Sequence, residues 1–311
     1  MALATPSVAG DGTTAKVVDA TPLGAKLAKG TSGPIGRIFV WLIAALWTVP
    51  TFGLLISSFR PEKQIKTDGW WHWFTNPGQT TIQNYKDVVG FKVNSQPFST
   101  FFWNTVQIAI PSAIIPIVIA SFAAYALSWM KFKGRDWLFV AIVAMMVVPL
   151  QMCLIPLLQF FKSDFFPDAM NGIPNVWVAH AIFGMPLAIF LLKNFIGSLP
   201  SEVIEAARVD GASHLTIFTR LVLPLSVPAL ASLAIFQFLW VWNDLLVARV
   251  FGGRKTNQPM TGALVEMVGN KSEDWQLLTA GAFVMMIVPL IVFLSLQRFF
   301  VRGLLAGSVK G

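Results

Sequence analysis

Glu205-Ala206-Ala207-Arg208-Val209-Asp210-Gly211 stands between two long apolar stretches, and nine residues beyond its glycine the chain reads Leu221-Val222-Leu223-Pro224. A carboxylate, two small residues and an Asp-Gly breaker suit docking better than bond-making. Glu205 offers a charged hydrogen-bond acceptor, while Ala206, Ala207 and Gly211 let another protein's backbone come close. Pro200 and Ser201 can start a helix there, with Ser201 as its cap and Glu202 at its positive end. Asp210-Gly211 can break that helix, and Ser213 can cap a second. Ile204, Ala207, Gly211, Leu215, Phe218 and Val222 fall near one face at helical spacing, which predicts a short amphipathic helix pair along a membrane. The competing reading is an interfacial helix that only anchors its bundle.

A second set of polar residues is scattered through apolar runs. Gln107, Gln151 and Gln237 are neutral, and His180 is the one deep ionisable group. Polar side chains are costly against lipid, so they are expected to face the interior or a path. Neutral hydrogen-bonding groups beside aromatic faces suit sugar hydroxyls. Gln151, His180, Gln237, Trp240 and Asn243 are therefore the expected substrate pathway, the alternative being that they only join helices. The spans hold no nucleophile–base pair and no metal-ligand cluster, so no catalytic residue, metal or cofactor is expected. Cys153 is the single cysteine and has no internal disulfide partner. Phe251-Gly252-Gly253-Arg254-Lys255-Thr256 lacks the spacing of a phosphate-binding loop, which argues against ATP binding by this chain.

The elements that must hold these groups are membrane spans. The chain is 55% apolar and 12% charged, against about 25% charged in soluble domains. Six segments are long and apolar enough to cross a bilayer: Ile38–Ser58, Phe101–Met130, Trp137–Phe161, Ile173–Ile196, Leu221–Leu246 and Thr279–Phe300. The expected fold class is thus an all-α membrane protein with one membrane domain over 35–311. Its polar loop covers 197–220, and it ends in a tail at 301–311. Residues 1–34 show no periodicity and no apolar core of signal-peptide length, and are expected to form a disordered cytosolic tail. Lys131, Lys133 and Arg135, then Lys193, Arg208 and Arg220, sit with both tails on one side, and positive-inside logic puts that side in the cytosol. The net charge of +8 belongs to this bias and calls for no nucleic acid. Gly69-Trp70-Trp71-His72-Trp73-Phe74, in the first long outer loop, fits the membrane interface. Prolines inside the spans, such as Pro111, Pro116, Pro156, Pro186 and Pro289, free backbone carbonyls that neighbours or water must satisfy.

The Glu-Ala-Ala, Gly and Leu-Pro spacing resembles the EAA loop of ABC-importer permeases, with Leu221 where that family usually has Ile. The rest of the chain after the N-tail resembles the MalG-type permeases of carbohydrate ABC importers. The matching pieces are Asn84-Tyr85, Asn104-Thr105, Tyr125-Ala126-Leu127, Pro149 and Pro156, Trp242-Asn243-Asp244 and the terminal Gly303-Leu304-Leu305-Ala306-Gly307-Ser308-Val309-Lys310-Gly311. Trp129-Met130 departs from the basic residue often found there, which Lys131 and Lys133 can supply. The resemblance implies the type I ABC importer permease fold in a bacterial plasma membrane, with both termini cytosolic. It implies a second permease subunit, two ATPase subunits and an extracytoplasmic sugar-binding protein as partners. It implies a carbohydrate cargo, with Ile65-Lys66-Thr67 and the tryptophan stretch looking most like α-glucoside permeases. It assigns ATPase docking to Glu205, Ala206, Ala207, Asp210, Gly211 and Lys310, the ATP chemistry lying in the separate subunits. A secondary transporter or channel driven by an ion gradient is the competing class.

Overall fold

The computed structural model describes residues 33–77, 80–93, 95–167, 172–267 and 274–308. The expected disordered tail at 1–34 falls almost wholly outside them, and so does Lys310. The chain divides at Gly53–Leu54 into two units. The described part of the first is most of one apolar helix, α1, Pro34–Ser58.

The second unit opens with two short helices, α2 (Glu62–Thr67) and α3 (Gln83–Gly90), flanking a tight turn of 3-10 helix at Trp70–Phe74. A two-residue hairpin, β1 (Lys92–Val93) with β2 (Gln96–Pro97), then leads into the long helix α4, Phe98–Trp129. Next come α5 (Arg135–Met145), α6 (Leu150–Phe161) and α7 (Ile173–Ile196). The polar loop folds as α8 (Ser201–Val209) and α9 (His214–Ile217). A π-helical turn at Phe218–Val222 and the short α10 (Leu223–Leu225) join it to α11, Val227–Trp242. The chain continues as α12 (Leu246–Phe251), α13 (Met260–Met267) and α14 (Trp275–Ser308). The last helix takes in most of the segment expected as a tail at 301–311.

Among the described residues, four helices are each long and apolar enough to cross a membrane: α1, α4, α7 and the Trp275–Gln297 part of α14. Two of the six expected spans are not single helices. Residues 137–161 break between Met145 and Leu150 with a 103° bend, and 221–246 break at Ser226 with a 72° bend. Counting each bent pair as one span restores six. The causes are local. Pro149 disfavours the helical conformation at Val148, and α6 starts directly after it, with Pro149 extended at its cap position. Around Ser226, neither Pro224 nor Pro228 has a backbone N–H to give the helical ladder.

Helix α4 packs along α7, and α11 packs on both α4 and α14. The buried apolar side chains form two cores, one at each end of these helices. The far-end core joins Phe98, Phe101, Ile108, Val176, Trp242, Phe251 and Met260. The loop-end core joins Ala120, Ala124, Tyr125, Leu192, Ile196, Ile204, Phe218 and Val222. Between the cores α4 carries Pro111, Ser112 and Pro116, α7 carries His180, Gly184 and Pro186, and α11 carries Gln237.

Candidate functional site

The polar loop buries one edge and presents the other. Ile204, Ile217, Phe218 and Val222 are fully covered in the loop-end core, while Glu205, Ala206, Asp210 and Gly211 are exposed and Ala207 is half-buried. The expected single apolar face is therefore corrected at Gly211 and Leu215, which face out. The Asp210-Gly211 turn resets the helical register, so Ile217 rather than Leu215 faces in. Val209 is 88% exposed and Leu215 64%, so two aliphatic side chains flank the small residues of the motif. Gly211 has φ +80°, a conformation that a side chain with a Cβ rarely adopts, although the space around it is open.

Capping follows the expectation at one helix and not at the other. Ser213 caps α9 by accepting a 3.2 Å bond from Thr216 N–H. Pro200, not Ser201, occupies the cap position of α8, and Ser201 is its first helical residue. Proline's fixed φ suits an extended entry into the helix and leaves the serine inside.

Two polar contacts tie this loop to the end of α4, and a third ties α4 to α7. Tyr125 Oη lies 3.0 Å from His214 Nδ1, and Arg208 Nη2 donates to the Trp129 carbonyl at 2.7 Å. Trp129 Nε1 donates in turn to the Ile196 carbonyl at 3.1 Å, at the end of α7. Arg208 also places its charge at the carbonyl end of α4, where the helix dipole favours a cation.

The expected pathway residues are only partly brought together. His180 is fully buried, with its ring 5.7 Å from that of Trp240 in an edge-on arrangement. Gln237 is buried one turn along and fills a notch at Gly184, where an added Cβ would lie 2.6 Å from its Nε2. Asn243 is exposed and donates to the Leu239 carbonyl of its own helix at 2.8 Å. Gln151 is exposed on α6. An open cleft of about 990 Å³ lies at the bend between α5 and α6, lined by Met145, Pro149, Cys153, Ile182, Pro186, Trp240 and other apolar residues. Trp240 is the only one of the five pathway residues on its wall.

The sequence reading left Asp244 out of the site. Its carboxylate stands 3.5 Å from His180 Nε2, within ion-pairing range though not aligned as a hydrogen bond, and is 12% exposed. It also accepts from Ala248 N–H at 3.0 Å and so caps α12. An acid at the end of a span with a buried histidine in the neighbouring span was the available signal. No cluster of His, Cys, Asp or Glu able to hold a metal occurs among the described residues.

Two of the family pieces noted in the sequence, Asn84-Tyr85 and Asn104-Thr105, hold connecting segments through their side chains. Asn84 Nδ2 donates to the Ser58 and Arg60 carbonyls, both at 2.9 Å, and Tyr85 Oη lies 2.7 Å from Ser58 Oγ. Asn104 Nδ2 donates to the carbonyls of Thr256 at 2.6 Å and Gln258 at 3.0 Å, while Thr105 Oγ1 accepts from Met260 N–H at 2.8 Å.

The model of the family "Binding-protein-dependent transport system inner membrane component" matches residues 116–305, which include the whole polar loop. The chain is 52% identical over 278 residues to the osmoprotective compounds uptake permease protein GgtD of Synechocystis sp., covering 88% of this chain and 91% of that one. It is also 52% identical over 240 residues to the alpha-glucoside transport system permease protein AglG of Rhizobium meliloti, covering 76% of this chain and 62% of the relative. Among solved structures, a bacterial ABC transporter involved in import of the acidic polysaccharide alginate has the same fold. Its TM-score is 0.62 at 14% identity, covering 92% of this chain and all of that one. With its apolar helices and a family match across most of its membrane region, the chain belongs to the inner-membrane components of binding-protein-dependent transport systems.

Proposed function

We propose that this chain is one of two paired permease subunits in an ATP-driven importer of neutral sugars, with α-glucosides as the leading cargo. The observation that carries the reading is the family match across residues 116–305, together with an exposed Glu205–Gly211 edge inside it. In this proposal one of the importer's two ATPase subunits docks on Glu205, Ala206, Ala207, Asp210 and Gly211 from the cytosol, with Lys310 adding a contact from the C-terminus. An extracytoplasmic binding protein hands over the solute on the opposite face. Transport then needs ATP rather than an ion gradient, which separates an importer of this kind from a secondary transporter.

The solute path is proposed along α5, α6, α7 and α11. Trp240 supplies the aromatic face, and Gln151, His180, Gln237 and Asn243 supply hydrogen-bonding groups. The similarity to GgtD supports a second reading in which the cargo is an osmoprotective compound. Both readings are tested by uptake of a radiolabelled α-linked disaccharide in a strain deleted for this chain and complemented with it, with osmoprotectants as competitors. Saturable, ATP-dependent uptake unaffected by osmoprotectants supports the sugar reading. Uptake abolished by an excess of osmoprotectant supports the second, and uptake that follows an ion gradient refutes both. Within the complex, Glu205→Ala removes a charged acceptor whose hydrogen bonds contribute about 1.5–3 kcal/mol. The expected result is loss of ATPase subunits on purification.

A further inference from the structure

Three prolines in the long spans each remove one backbone hydrogen bond, and in each case a side chain from another helix supplies the missing donor. A proline at position i has no N–H for the carbonyl at i−4. Pro111 frees the Gln107 carbonyl, and Trp177 Nε1 on α7 donates to it at 2.7 Å. Pro289 frees the Met285 carbonyl, and Trp242 Nε1 on α11 donates to it at 3.1 Å. Pro116 frees the Ser112 carbonyl, toward which Gln237 Nε2 reaches from α11 at 3.4 Å. The first two distances are those of good N–H···O bonds, and the third is a weak one. A carbonyl without a partner in the hydrocarbon is costly, so each proline creates an acceptor that only a neighbour or water can satisfy.

We infer that Trp177 and Trp242, with Gln237 as a weaker third member, are positioning residues for transport: their N–H groups tether neighbouring spans at the carbonyls the prolines have freed. The inference rests on the importer reading for its transport readout and on the geometry alone for its stability readout. The tethers tie α4 to α7, α14 to α11 and α4 to α11. One of them, at Ser112, lies between the cores, and the other two lie at the far-end core. A backbone ladder holds a helix to itself, whereas these bonds hold one helix to the next while leaving the bend in place.

The test is a double-mutant cycle on the assembled complex, with Trp177→Phe and Pro111→Ala as one pair and Trp242→Phe and Pro289→Ala as the other. Phenylalanine keeps an aromatic ring and removes the N–H. Alanine at the proline gives the freed carbonyl an intrahelical donor. Each Trp→Phe change is expected to lower the maximal uptake rate about threefold with KM unchanged, the scale of one interhelical bond in a membrane. It should also lower the thermal midpoint of the purified complex. In the alanine background the same change should have little effect on either quantity. Equal penalties in both backgrounds, for both pairs, would overturn the inference, because a purely packing role for the rings does not depend on the proline. The midpoint cycle is read without any solute. A wrong cargo therefore abolishes the uptake signal and leaves the stability coupling intact.

Discussion

The two cores of the helical unit are held in different ways. At the far end, large aromatic residues such as Phe101, Trp242 and Phe251 pack together, and connecting segments are pinned to helices by buried amides and hydroxyls. Asn104 alone binds two carbonyls of the segment before α13, and Thr105 receives its first N–H. At the loop end, alanines and aliphatic side chains dominate the core. There the polar ties of Tyr125 and Arg208 lie at its margin. Dispersion and burial are non-directional, so the loop end can tolerate small shifts of helices that buried hydrogen bonds at the far end resist. One end of the bundle is fastened and the other is packed.

That contrast can be broken most severely at Asn104. Asn104→Leu leaves the Thr256 and Gln258 carbonyls without their donor, each at about 1–3 kcal/mol. The expected outcome is a large drop in the thermal midpoint and loss of folded complex in detergent. At the loop end, Gly211→Leu forces a side chain into the left-handed region at about 1–2 kcal/mol and adds bulk to the proposed docking edge. Co-purification should show fewer ATPase subunits, with a smaller change in thermal midpoint than for Asn104→Leu. Tyr125→Phe removes one marginal bond to His214, and a midpoint loss corresponding to about 0.6 kcal/mol is expected. A loss as large as that of Asn104→Leu would show that polar ties, and not packing, hold the loop end. Lys66→Ala gives the smallest effect, since the exposed Glu62–Lys66 pair at 2.6 Å contributes no more than about 0.5 kcal/mol. Its midpoint should be indistinguishable from the parent.

Hydropathy alone located the bundle, because a bilayer demands about 20 apolar residues per crossing and few charges interrupt these runs. It did not locate the breaks after Met145 and at Ser226. Whether a proline within an apolar run bends a helix or ends it is a matter of tertiary packing, which the run itself does not encode. The Pro111, Pro116 and Pro289 helices continue, with donors from Trp177, Gln237 and Trp242. At the polar loop, the spacing of Glu205, Gly211 and Pro224 was readable, and so was the Ser213 cap. The facing of Leu215 was not, because a left-handed glycine rotates everything that follows by an amount the periodicity does not encode. Asp244 was legible only as part of the Trp242-Asn243-Asp244 piece, and only the folded chain brings His180 beside it.

The notch at Gly184 constrains how this membrane domain can change over time. An alanine there would set its methyl carbon 2.6 Å from the Gln237 amide nitrogen and 2.8 Å from its oxygen. Those atoms are the far end of a flexible side chain, so Gln237 makes room by giving up its reach to the Ser112 carbonyl, and a lineage that acquires alanine at 184 is expected to carry a shorter side chain at 237 more often than one that keeps glycine. An alignment of homologous permeases can be scored for that pairing, and frequent coexistence of alanine with glutamine would count against it. The same constraint predicts epistasis in the laboratory, with Gly184→Ala tolerated better beside Gln237→Ser than alone.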